Sequence, residues 1–202
     1  MRLCATAGQE SLPAGRQVTL PRRLTVMSIP RKSFLVNIFR SRYNIGMPQA
    51  ILKQIRALLL KNKMTIAVAE SCTGGLTSAL LTQLSGSSKY FISGMVAYSN
   101  EMKINTLGVP AIIIAKKGAV SADVALLMAK NIKKIANANF GIGITGIAGP
   151  TGGTPDKPVG TVFVAVSGRN KTICRKFRFK GRRTTIRKKA ALTSLRLFKN
   201  LL

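Results

Sequence analysis

From Met47 to the C-terminus, helical and strand-like apolar periods alternate, and that alternation restricts the chain to a sheet covered by helices. Ile51, Ile55, Leu58 and Leu59 form a helical stripe ahead of the strand-like Met64–Ala69. A helix is predicted over about 75–84, a strand over Gly94–Ser99, and a short helix over Asn100–Leu107 closed by Gly108 and Pro110. Ser121 as N-cap and Asp123 in the first turn start a helix to about Asn137 that turns Val124, Leu127, Met128 and Ile132 inward. The strand Phe140–Thr145 follows, then a Gly/Pro-dense loop, Gly146–Pro158. A hairpin of Thr161–Ser167 and Lys171–Phe179, turned by Gly168–Asn170, leads to a closing helix over about 184–201. The expectation is an α/β fold: a three-layer α/β/α sandwich on a mixed, mostly parallel sheet with at least one antiparallel strand.

Residues 1–46 break this pattern. They hold eight Arg or Lys, one acid and three prolines, with no sustained period. Their Arg-rich, acid-poor composition has the look of a transit peptide but lacks the apolar centre of a secretory signal. The preferred expectation is a basic extension, disordered or a start-site artefact, ahead of a single domain at 47–202.

Composition removes several classes of chemistry. The chain has no histidine, which excludes Ser-His-Asp and Cys-His catalysis and every histidine-bearing metal site. Cys4, Cys72 and Cys174 offer no even count and no C-x-x-C pair, so neither a disulfide framework nor a cysteine-rich zinc site is expected, and a cytoplasmic location fits. Apolar runs such as Ala111–Ala115 are strand-sized, too short to span a bilayer, so no membrane association is expected. A net charge of +28 predicts attraction to polyanions and phosphate-bearing ligands without choosing between them.

Three loops leave the carboxyl ends of strands, where open α/β sheets bind ligands. The first, Glu70-Ser-Cys-Thr-Gly-Gly75, runs into a helix, so the amides of Thr73, Gly74 and Gly75 are candidates to face an oxyanion beside Ser71. Taken alone, a helix cap by Ser71 or Thr73 explains the same residues. The second loop sets Lys103 five residues after Tyr98, with Asn100 as the expected N-cap between them. A lysine acts as a base only when its pKa falls from about 10.4 towards roughly 7–8, and in isolation a solvated surface lysine is the simpler reading. The third loop, Thr145–Thr154, presents closely spaced amides and hydroxyls suited to a phosphate or sugar.

Five ordered blocks, Ala69–Gly75, Tyr98–Glu101, Gly118–Ser121, Thr145–Pro150 and Lys157–Thr161, together resemble the CinA C-terminal domain family over essentially all of 47–202. The resemblance implies deamidation of nicotinamide mononucleotide to nicotinate mononucleotide and ammonia, in the stand-alone form without the family's second, molybdopterin-binding-like domain. It places the nucleophile at Ser71, the lysine base at Lys103 and the associated tyrosine at Tyr98. Substrate contacts are expected from Asn100, Thr145, Gly146 and Gly149, and phosphate contacts from the Arg182, Arg183 and Arg187 cluster, Arg183 first. No metal or organic cofactor is implied, and a homo-oligomer is expected. Arg182 stands where the family usually has an acidic or amide residue, and Lys117 where it often has histidine.

Two other readings remain open on the sequence. One is a catalytically silent member that binds or regulates. The other is a nucleic-acid-binding protein, favoured by the basic stretch Lys171–Lys189 but lacking a recognised motif, with only Phe177 and Phe179 interleaved; nucleic-acid binding is therefore expected to be incidental.

Overall fold

A computed structural model describes residues 49–202, and the expected extension at 1–46 lies outside the described residues. The elements in chain order are α1 (Gln49–Lys61), β1 (Ile66–Glu70), α2 (Leu76–Leu81), a 3-10 turn (Ser87–Lys89), β2 (Phe91–Val96), α3 (Asn100–Asn105) and α4 (Ala111–Lys117). There follow α5 (Ala122–Ile135), β3 (Phe140–Gly146), β4 (Thr161–Ser167), β5 (Thr172–Arg178) and α6 (Arg183–Lys199).

The five strands form one sheet in the order β2-β1-β3-β4-β5. β1 pairs in parallel with both β2 and β3, and β4 runs antiparallel to its neighbours β3 and β5. One face packs α1, α2 and α6 through Leu52, Ile55, Leu80, Ile186, Leu195 and Phe198 onto Ile66, Val68, Ile142 and Val164. The other packs α4 and α5 through Ile114, Val124, Met128 and Ile132 onto Ala67 and Ala69. This is the expected three-layer sandwich. Its second face is tight because β3 offers glycine there: a Cβ at Gly141 or Gly143 would collide with the backbone carbonyls of Ala129 and Ala125 in α5.

Some boundaries differ from expectation. β2 begins at Phe91 and ends at Val96, earlier than the predicted 94–99. Gly94 reads as a strand start but lies mid-strand, where its missing side chain makes room for Ser78 of α2. Ala111–Lys117 forms a helix not expected from the sequence, with Pro110 and Gly118 at its two ends. Ser99, not Asn100, is the N-cap of α3, its side chain accepting from the Met102 amide.

The connection from β1 to α2 carries the site. Helix starts leave amides unbonded and attract negative charge. Here Glu70, the last residue of β1 and fully buried, supplies that charge from within the chain. Its Oε2 accepts from the amides of Gly75 (3.1 Å) and Thr77 (3.0 Å), and its Oε1 from the amide (2.8 Å) and hydroxyl (2.7 Å) of Ser78. Gly74 and Gly75, at φ 57° and 91°, allow the chain to double back far enough for this closure. Glu70→Gln keeps the shape but turns an amide NH2 towards backbone donors. It is expected to cost about 2–4 kcal/mol, seen as a lowered urea midpoint at unchanged m-value.

Candidate active site

The carboxyl ends of β1 and β3 lie side by side where the chain reverses direction across the sheet, the position at which doubly wound folds bind ligands. A crevice of about 270 Å³ opens there. Its walls come from three places: the loop after β1 (Ser71, Cys72), the β2–α3 segment (Tyr98, Asn100, Lys103) and the loop after β3 (Thr145, Gly146, Gly149), with Arg183 of α6 alongside. Eight of the residues singled out from sequence therefore share one cavity.

Ser71 is 8% exposed, and its amide donates to the carbonyl of Ile144 on β3, which ties the loop to the neighbouring strand. Lys103 is more unusual, a lysine only 2% exposed in a chain where most cations are solvated. α3 carries it inward, and its Nζ donates to the carbonyls of Tyr98 (2.9 Å) and Ser99 (3.2 Å). Burial holds its pKa below the ordinary lysine value, because the cation gives up more solvation than the neutral amine. No carboxylate pairs with it among the described residues.

Cys72 also lines the crevice, next to Ser71. Burial pushes its thiol up to about 12, and the neighbouring Glu70 carboxylate adds to the rise. The side chain remains protonated at neutral pH, and a protonated thiol is a poor nucleophile. Of the two adjacent candidates, the hydroxyl is the one chemistry can use.

The remaining expectations divide. Tyr98 is 56% exposed, and its phenol oxygen accepts from Arg183 Nη2 at 2.7 Å while Arg183 Nη1 donates to the Gly149 carbonyl at 2.7 Å. Arg183 thus bridges two walls of the crevice. Arg187 instead donates through Nε and Nη2 to the carbonyl of Thr73, holding the loop rather than lining the cavity, and Arg182 is exposed outside it. The hydroxyl of Thr145 donates to the Ala119 carbonyl, fastening the Gly118–Ser121 loop.

The oxyanion expectation for Gly74 and Gly75 is corrected. Neither residue lines the crevice; Gly74 N–H donates to the Ser71 carbonyl and Gly75 N–H to Glu70. An anion supplied by the chain already occupies the helix start. Ser71 and Thr73 do not cap α2 either, since that role falls to Glu70. Thr73, the third expected donor, does not line the crevice either, so of the loop after β1 only Ser71 and Cys72 face it. Glu70 was the residue missed, and its signal was an acid one position before the serine and five before a helix start. No group of three or more His, Cys, Asp or Glu is placed to hold a metal, and no helix is long and apolar enough to cross a membrane, among the described residues.

Known proteins resemble this chain in sequence and in fold. Residues 48–202 match the CinA C-terminal domain. A CinA-like protein of Koribacter versatilis is 55% identical over 123 residues, 61% of this chain and 30% of its own length. One from Geobacter sulfurreducens is 47% identical over 141 residues, 70% and 34% respectively. The chain thus spans about a third of the length of the curated relatives it matches. The crystal structure of the competence/damage inducible protein CihA from Agrobacterium tumefaciens superposes with a TM-score of 0.72 at 37% identity, covering 77% of this chain and 97% of that one. On its sequence, its fold and the match over 48–202, the chain belongs to the CinA C-terminal domain family.

Proposed function

We propose that this chain is an amidohydrolase that converts nicotinamide mononucleotide to nicotinate mononucleotide and ammonia, with Ser71 as nucleophile and Lys103 as general base. The substrate is the one the sequence resemblance implies. The observation that carries the reading is the buried Lys103 lining the same crevice as Ser71 in a histidine-free chain. A neutral amine has two N–H groups and one lone pair. With two carbonyls accepting the N–H groups, the lone pair remains for the serine proton.

In the first step Lys103 takes the Ser71 proton as Oγ bonds to the carboxamide carbon. The amide of Cys72, which lines the crevice next to Ser71, is the donor assigned to the oxyanion. The C–N bond then breaks, the Lys103 ammonium returns its proton to the leaving nitrogen, and ammonia departs. Water attacks the acyl-enzyme with Lys103 again as base, which regenerates Ser71 and leaves a carboxylate. Arg183, already bridging Tyr98 and Gly149 at the crevice, is the donor assigned to the substrate phosphate.

Ammonia release from nicotinamide mononucleotide is the direct assay. Ser71→Ala should fall to background and Lys103→Met by about 10²–10⁴-fold with the fold retained. Wild-type release no greater than that of Ser71→Ala would instead leave a silent binding domain.

The pH dependence has a definite sign. Lys103 works deprotonated and its pKa is lowered by burial, so kcat/KM should rise with pH and level off below the ordinary lysine value. A profile still climbing through about pH 10.4 would contradict a desolvated base.

Tyr98→Phe separates two roles for the tyrosine. The phenol accepts from Arg183 at the crevice wall, so its loss should raise KM several-fold with kcat nearly unchanged. A large fall in kcat would instead place the phenol in the proton path.

A further inference from the structure

From Lys157 to Leu202 the chain holds 14 Lys and Arg and not one Asp or Glu, half of the net +28 within 46 residues. Residues 47–156 hold 11 cations against four acids. The proposed amidase needs one of those 14, Arg183, for substrate and uses Arg187 to hold a loop.

The fold lines up several of the others along one edge. Among the described residues β5 is an edge strand paired only with β4. Arg175, Lys176, Arg178 and Lys180 are exposed along and just beyond it. From Lys176 to Lys180 an extended chain covers about 13 Å, room for several duplex phosphates at one charge per roughly 1.7 Å. α6 extends the row, since Lys189 Nζ donates to the Lys180 carbonyl at 3.0 Å, setting helix and strand cations side by side. Edge strands carry lysines to discourage pairing. That need ends with the strand, whereas the cations continue through Lys180 and Arg182 into α6.

We propose that the β5 edge and the adjoining start of α6 bind the phosphate backbone of duplex nucleic acid without reading its sequence. Charge complementarity supplies the attraction. Duplex is favoured over single strand because the aromatics here give bases no platform: Phe177 and Phe179 stack on each other at 5.7 Å and pack against the core. An anionic membrane is disfavoured because interfacial binding also needs apolar side chains to insert. The exposed large apolar residues, Ile92, Val96, Tyr98, Met102, Ile112 and Ile135, all lie before residue 157.

The test is fluorescence anisotropy of the full chain with labelled mixed-sequence DNA duplexes of about 24 base pairs, titrated with salt. Arg175→Ser/Lys176→Ser/Arg178→Ser/Lys180→Ser is compared with Lys53→Ser/Lys61→Ser/Lys116→Ser/Lys130→Ser, which removes the same charge from exposed sites elsewhere. The first should weaken binding by about 30-fold or more and reduce the slope of log K against log salt by about 3, and the second should weaken it less than about 3-fold. Lys180→Ser/Lys189→Ser, which leaves the strand intact, should lose about 5-fold and covers the case in which the quadruple variant misfolds. Equal losses from both quadruple variants, a strong preference between two unrelated duplexes, or competition by phosphatidylserine vesicles as effective as unlabelled duplex would each overturn the proposal. The outcome is independent of ammonia release.

Discussion

The buried carboxylate of Glu70 determines the geometry of the crevice's first wall. It ends β1, lies under the start of α2 and accepts four hydrogen bonds from Gly75, Thr77 and Ser78. A fully buried carboxylate is costly unless such donors surround it. Once they do, the turn between strand and helix has little freedom. Ser71 therefore stands fixed between a strand residue bonded into the sheet and a loop whose Thr73 carbonyl is held by Arg187. The helix dipole serves the fold through Glu70 rather than the ligand.

Burial also differentiates side chains that composition alone would treat alike. Among the cations of the described residues, Lys103 is the one that is buried, and desolvation lowers its pKa in a chain with no histidine. The same burial raises the Cys72 thiol, so one crevice lowers a lysine's pKa and raises a cysteine's, each shift favouring the uncharged form. Arg183 and Arg187, one helical turn apart on α6, divide similarly. The first spans the crevice walls, while the second braces the nucleophile loop.

Most of the element order and the layer arrangement were legible because apolar periods switch cleanly between helix and strand and because Ser121 marks a helix start. That Ser71, Tyr98 and Lys103 line one crevice was legible from the loops leaving the strand ends, with Ser71 and Tyr98 inside the sequence blocks and Lys103 five residues after Tyr98. What escaped was set by tertiary contact. Gly94 begins a strand on local pattern, yet it sits mid-strand because Ser78 packs against it. The amides of Gly74 and Gly75 looked free because a distant-looking acid, five residues before the helix start, was given no role. The helix over Ala111–Lys117 was not foreseen, since its short apolar run shows no clear period and buries only Ile114.

Product partitioning in hydroxylamine tests the Ser71 assignment most directly, since an acyl-enzyme is shared between water and the added nucleophile in a ratio set after ammonia has left. With nicotinamide mononucleotide, the wild-type chain should form the hydroxamate of nicotinate mononucleotide at the expense of the free acid, and Ser71→Ala should form neither. Ammonia release with no hydroxamate, or hydroxamate persisting in Ser71→Ala and vanishing in Cys72→Ala, would contradict a serine acyl-enzyme.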